Sequence, residues 1–121
     1  MRYPQAQVQR RLQKIGFPQD RTHIVSGFFP ASAERNAPDR ICFAYVDFDL
    51  YRPVLDALYF VAKRMPKGGA IVVDDYDHPL FSGVKKAVNE FVSSAAFDML
   101  VPEHERFAIL VSRADYRCPS Q

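Results

Sequence analysis

Two short apolar and aromatic runs, 41–46 (ICFAYV) and 70–73 (AIVV), bracket a stretch of helical periodicity at 52–65 (RPVLDALYFVAKRM). This arrangement leaves few folds open. Runs of this length and composition read as strands buried on both faces, the habit of parallel sheets. Parallel neighbours need a crossover, and the stretch between them supplies one. Val54, Leu55, Leu58, Val61 and Ala62 form its apolar face, and Pro53 sits in the first turn, where a missing N–H costs little. Residues 66–69 (PKGG) end it. A strand–helix–strand unit of this kind implies an α/β sandwich.

The flanking segments extend the pattern. Residues 5–15 carry Val8, Leu12 and Ile15 at helical spacing, and Gly16 and Pro18 stop that helix. Residues 22–29 (THIVSGFF) predict another strand, and 30–40 a polar loop with two prolines. Residues 81–93 predict an amphipathic helix with Val84, Ala87, Val88 and Phe91 inward. Strands follow at 97–101 and 107–112. The link at 102–106 (PEHER) suits an antiparallel hairpin. The expected organisation is one domain over 1–121, with a frayed tail from 114 to 121.

Composition excludes several classes. Forty-eight per cent apolar residues, ten Phe and six Tyr are incompatible with intrinsic disorder. A net charge of +2 without a basic stripe argues against a nucleic-acid partner. No run approaches the roughly 20 apolar residues of a membrane helix, and no secretory leader opens the chain, so a cytoplasmic address is expected. Cys42 and Cys118 lack metal-like spacing and read as free thiols, with Cys42 in the core.

The chemistry lies just beyond the two apolar runs. The first is followed by Asp47-Phe48-Asp49-Leu50-Tyr51, the second by Asp74-Asp75-Tyr76-Asp77-His78. Parallel strands deliver their carboxyl ends to one sheet edge, where open α/β sheets bind ligands. Asp47, Asp49, Asp74 and Asp75 are therefore expected to converge. Converging carboxylates repel and lose hydration, and a hard divalent cation such as Mg²⁺ relieves both costs. A single acid there would do no more than cap the next helix; two pairs at one edge favour a site.

Three families place acid pairs in this manner. Residues 71–75 resemble the opening of a response-regulator receiver domain, but no later strand supplies the phosphorylated acid. Asp47-Phe48-Asp49 resembles the nucleophile motif of haloacid-dehalogenase-like phosphatases, but Tyr51 stands where that family carries a small hydroxyl residue. The block 46–76 resembles the macrocin O-methyltransferase family, S-adenosylmethionine-dependent enzymes of the class I fold. The resemblance rests on Asp47-Phe48-Asp49-Leu50-Tyr51, Leu55-Asp56-Ala57-Leu58, Pro66-Lys67-Gly68-Gly69 and Val72-Val73-Asp74-Asp75-Tyr76. Ile24-Val25-Ser26-Gly27-Phe28-Phe29 is similar to the strand and glycine turn upstream, and the likeness extends over roughly 8–112.

The resemblance implies that Asp47, Asp74 and Asp75 hold Mg²⁺, that Asp49 is the general base, and that Ser26, Gly27, Phe28 and Asp47 contact S-adenosylmethionine. Tyr51 and Tyr76 are candidates for the wall of the acceptor pocket, although packing against the following helices accounts for them more simply. His78 reads as a loop residue, and His23 and His104 carry no signal. The acceptor implied is a hydroxyl of a small molecule such as a sugar. The fold implied is a truncated Rossmann-like methyltransferase sandwich, with a mostly parallel sheet and a C-terminal antiparallel hairpin. The family's first two strands and its glycine-rich cofactor turn have no counterpart here, because no Gly-x-Gly follows a strand. The chain thus resembles the C-terminal half only. It is either part of an enzyme, with a missing N-terminal segment, or a non-catalytic scaffold that pairs through an open sheet edge, for instance as a homodimer.

Overall fold

The computed structural model describes residues 5–25, 27 and 29–115. They fall into two units, Met1–Asn36 and Ala37–Gln121. The first unit holds α1 (Gln5–Lys14), a 3₁₀ turn (Gln19–Arg21) and the single-turn α2 (Ala31–Glu34). Helix α1 ends at Gly16, whose φ of 80° is the left-handed closure glycine makes without a Cβ penalty. Val8 and Leu12 are half-buried and Ile15 is exposed. The Thr22 hydroxyl donates to the Pro18 carbonyl at 2.7 Å, and the Asn36 amide to the Ser32 carbonyl at 2.9 Å.

Among the described residues of the strand expected at 22–29, none is in a strand. Residues 22–25 belong to no strand, and Ser26 and Phe28 lie outside the described residues. Apolar character alone does not make a strand. A ladder partner is required, and among the described residues the sheet's four strands pair with one another. The polar loop at 30–40 contains α2 as its one helical turn.

The second unit is the sheet and its two long helices, in the order β1 (Phe43–Val46), α3 (Tyr51–Ala62), β2 (Ala70–Val73), α4 (Ser82–Ser94), β3 (Phe97–Leu100) and β4 (Ala108–Ser112). The sheet runs β1-β2-β4-β3. Strands β1 and β2 are parallel, with Val46 opposite Val73. Strand β4 lies antiparallel to both β2 and β3, so the terminal hairpin docks through its second strand. The expected α/β fold with a C-terminal antiparallel hairpin forms, but the sheet, expected to be mostly parallel, is mixed: among the described residues β1–β2 is its one parallel pairing, because β4 inserts antiparallel beside β2.

Helices α3 and α4 pack on each other over one face of the sheet. Val54, Leu55, Leu58 and Val61 of α3 meet Val84, Ala87, Val88 and Phe91 of α4, all buried. Beneath them lie Ile71 and Val73 of β2 and Ala108 and Leu110 of β4. Alternation along β2 and β4 puts every second residue in this core. The helices approach closely where both begin. A Cβ on Gly83 would stand 3.0 Å from the Tyr51 backbone nitrogen and 3.1 Å from its Cβ. Gly83→Ala is therefore expected to lose stability despite the better helix former. Overpacking costs about 1–3 kcal/mol, against roughly 1 kcal/mol gained in propensity. A urea melt showing net stabilisation would mean that the start of α3 yields freely.

Two expectations about burial are corrected. Strand β1 is not covered on both faces: Phe43 is 58% and Tyr45 57% exposed, because β1 is a sheet edge and the helices cover one face only. Cys42 is likewise exposed rather than in the core, since it precedes the strand. Cys118 lies outside the described residues. At the start of the expected frayed tail, 114–115 are held instead. The Ser112 hydroxyl donates to the Ala114 carbonyl at 2.7 Å, and the Lys67 N–H to Asp115 Oδ1 at 2.7 Å.

Candidate active site

Strands β1 and β2 end level with each other, and their loops leave from the same edge. Pairing continues one residue past the strands, where the Asp74 N–H donates to the Val46 carbonyl at 2.9 Å. The next loop is tied from the other side, the Tyr76 N–H donating to the Arg106 carbonyl at 2.8 Å. Between these anchors Asp75 takes φ 58°, the left-handed region that Asp tolerates better than most residues.

This geometry gathers three acids. Carboxylate oxygens of Asp47, Asp49 and Asp75 lie within 4.8 Å of one another. Asp47 and Asp49 are exposed, and Asp75 is half-buried. Asp74 is engaged beside them: its Oδ2 accepts the Tyr45 hydroxyl at 2.7 Å and its Oδ1 the Asp75 N–H at 2.8 Å. All four expected acids thus sit at one edge, with Asp74 serving its neighbours as a brace.

The electrostatics follow from the crowding. Partial burial, and then the negative charges of Asp74, Asp75 and Asp49, push the Asp47 carboxyl above its ordinary value. Since Asp47 remains exposed, solvent screens part of that repulsion. The Tyr45 phenol is pushed up to about 12, first by its hydrogen bond to Asp74, then by burial and the surrounding carboxylates. It remains a donor throughout the physiological range. Tyr45 went unnoticed in the sequence. The period-2 geometry of a strand could have found it, because it lies two residues before Asp47 and so on the same side of β1.

Both candidate tyrosines are tethered to α4. The Tyr51 hydroxyl donates to Glu90, which raises its pKa, and the Tyr76 hydroxyl donates to Asn89 Oδ1 at 2.7 Å. Tyr76 is buried, and Tyr51 is half-buried. Gly27 belongs to the other unit. Its φ is 134°, and an added Cβ would stand 2.9 Å from Ser32 Cβ, so its own turn already requires glycine. Its expected neighbours at the cofactor, Ser26 and Phe28, lie outside the described residues. Among the described residues no helix is long and apolar enough to cross a membrane.

Known proteins resemble this chain in sequence and in fold. The sequence profile of the macrocin-O-methyltransferase (TylF) family matches residues 1–105. Mycinamicin III 3''-O-methyltransferase of Micromonospora griseorubida is 28% identical over 86 residues, covering 71% of this chain and 33% of its own. The 8-demethyl-8-(2,3-dimethoxy-alpha-L-rhamnosyl)-tetracenomycin-C 4'-O-methyltransferase of Streptomyces olivaceus is 29% identical over 73 residues, 60% of this chain and 28% of its own. The chain thus spans about a third of the length of these relatives. The solved structure of the O-methyltransferase NovP superposes with a TM-score of 0.77 at 20% identity, covering 91% of this chain and 45% of that one. The fold is that part of a Rossmann-like methyltransferase.

Proposed function

The chain belongs to the macrocin-O-methyltransferase (TylF) family, and from that premise we propose that it carries the acid-lined acceptor edge of an S-adenosylmethionine-dependent O-methyltransferase. The acceptor is a hydroxyl of a small, sugar-like molecule, as the names of both relatives suggest. The observation that carries the reading is the convergence of Asp47, Asp49 and Asp75 at the carboxyl edge of a parallel pair. Family membership takes the place of the phosphatase and receiver readings.

The donor set fits a hard divalent cation. It consists of carboxylate oxygens only, at a separation that mutual repulsion would otherwise widen. Asp47, Asp75 and Asp49 would hold the ion, with Asp74 bracing Asp75 through its backbone N–H or joining the ligands as the family resemblance implies. When bound, S-adenosylmethionine supplies the methyl group, and the cation lowers the pKa of a hydroxyl beside it. Asp49 is exposed and adjoins the other acids, and through the carboxylate oxygen not given to the ion it would take the proton of the acceptor hydroxyl. Tyr51 and Tyr76, held by α4, wall the approach. For S-adenosylmethionine itself, Gly27 is the one described residue of the expected turn.

A Mg²⁺ titration followed by amide chemical shifts tests this, with S-adenosylhomocysteine added afterwards. The expected result is saturable shifts at Asp47, Asp49, Asp74 and Asp75 at roughly millimolar Mg²⁺ or below. Cofactor binding is expected to be weaker than about 100 µM, since no Gly-x-Gly turn follows a strand. The absence of any Mg²⁺ response would overturn the site. A low-micromolar cofactor affinity would show that this chain holds a complete cofactor pocket.

The scaffold reading has one observation in its favour, the exposed Phe43 and Tyr45 on the β1 edge. Light scattering separates the two. A dimer abolished by Tyr45→Lys with no Mg²⁺ response supports the scaffold, and a Mg²⁺-binding monomer supports the enzyme.

A further inference from the structure

The loop that follows Asp75 and the start of α4 line an open cleft of about 410 Å³, of which the proposed chemistry uses only Tyr76. Tyr76, which lines it, follows Asp75 in the chain, so their α-carbons are about 3.8 Å apart. The other polar lining is His78 from the loop and Ser82, Lys85, Lys86 and Asn89 from α4.

The hydrogen bonds of the lining fix what it offers a ligand. Asn89 Oδ1 accepts the Tyr76 hydroxyl, which leaves the amide NH₂ as two donors. His78 Nδ1 accepts the Leu80 N–H at 3.0 Å, so the neutral ring carries its proton on Nε2, again a donor. The Lys86 ammonium sits 4.8 Å over the Tyr51 ring, a contact that supplies it no oxygen acceptor. Lys85 lies 3.3 Å from Asp77 Oδ1, an ion pair with both partners half or more exposed. A pair of that kind holds weakly and yields to a better acceptor. Asn89, His78 and the two lysines present donors, Ser82 offers either role, and the acceptors are Asp77 and the Tyr76 oxygen, with two positive charges against one negative. Through Tyr76 it is one residue along the chain from a cluster that is wholly negative.

A neutral sugar brings a proton on every hydroxyl, each of which a pocket must accept, whereas an oxyanion brings none. This cleft suits a group made of acceptors. We propose that it seats an oxyanion carried by the acceptor molecule, a phosphate or carboxylate on the sugar whose hydroxyls face the acids. The inference rests on the reading of the acid cluster as the acceptor site. It adds that the substrate bridges from carboxylates to lysines, one end held through its hydroxyls and the other through its charge. Lys85 and Lys86 act as point charges, without the planar selectivity of arginine.

Three probes in divalent-free buffer test it: glucose 1-phosphate, glucuronate and glucose, each followed through amide shifts of the whole 121-residue chain. The expected result is saturable shifts across 78–89 with one or both charged probes and none with glucose. The stronger charged probe identifies phosphate or carboxylate as the source. Lys86→Gln should weaken that binding at least about fivefold, as loss of a charge-assisted contact does. Lys86→Arg should largely retain it, and matching thermal melts show that both variants fold. Equal response to glucose, no response to either charged probe, or unchanged affinity in folded Lys86→Gln overturns the inference. The Mg²⁺ titration is read on the same sample at Asp47, Asp49 and Asp75. Mg²⁺ shifts without an oxyanion response sink this inference alone. An oxyanion response without Mg²⁺ shifts sinks the methyltransferase reading instead.

Discussion

Phe91→Ala should unfold the second unit or bring it to the margin of folding. The Phe91 side chain is fully buried on α4. Its ring lies 5.2 Å from that of Tyr59 on α3, edge-on, and 5.1 Å from that of Phe97 on β3. One side chain therefore joins both helices to the far strand of the hairpin. Truncating a buried Phe costs about 3–5 kcal/mol, and the two aromatic contacts place this site at the upper end. A domain of this size has a total stability of roughly 4–13 kcal/mol. The urea midpoint should fall by a third or more, with loss of far-UV signal at 37 °C if the parent is near the lower bound. Phe91→Leu keeps most of the volume and should lose less than half as much. A loss under about 1 kcal/mol in the alanine variant would mean that the α3–α4–β3 junction is not where this unit is held together.

That junction was legible in the sequence. Val84, Ala87, Val88 and Phe91 are spaced for one helical face, as are Val54, Leu55, Leu58 and Val61, and all eight are buried. The parallel pair was legible for the same reason: two apolar runs joined by one crossover helix admit little else. Convergence of the acids followed from the shared strand direction. What periodicity does not encode is which strand ends the sheet. Residues 41–46 look buried on both faces, yet Phe43 and Tyr45 are exposed because β1 has a neighbour on one side only and helices over one face. The run at 22–29 illustrates the same gap, since a ladder depends on a partner elsewhere in the chain.

Within the site, residue type and spacing brought Asp47, Asp49, Asp74 and Asp75 to one edge, but not their division of labour. That is decided by two hydrogen bonds. The Tyr45 hydroxyl and the Asp75 N–H occupy the two oxygens of Asp74, leaving Asp47, Asp49 and Asp75 facing one another. The second bond has no signature in spacing, and the first has only the period-2 placement of Tyr45 on β1. The donor character of the neighbouring cleft was equally hidden. Lysines 85 and 86 read as the solvated face of an amphipathic helix, and only the partners of Asn89 and His78 show what the lining leaves free.

Asp47→Asn should stabilise the metal-free chain and destroy its response to Mg²⁺. Asp47 shares its edge with three other carboxylates, and its folded pKa is raised above the ordinary 3.8 by partial burial and their charge. The native state therefore binds the Asp47 proton more tightly than the unfolded chain does. Stability is full below pH 3.8 and falls as pH rises through the raised folded value. At neutral pH that penalty is complete, tempered by solvent screening at an exposed residue. An asparagine carries no charge to repel and no proton to lose. The variant should melt about 2–5 °C higher at pH 7 in chelator, with a flatter stability profile just above pH 3.8. Addition of Mg²⁺ should reverse the ranking. The parent gains stability as RT ln(1 + [Mg²⁺]/Kd), while the variant, with one of three carboxylates gone, should bind at least about tenfold more weakly. The two melting curves then cross as Mg²⁺ is raised. A variant less stable than its parent in chelator, together with a parent whose melting ignores Mg²⁺, would mean that the acids relieve their crowding by hydration alone and hold no cation.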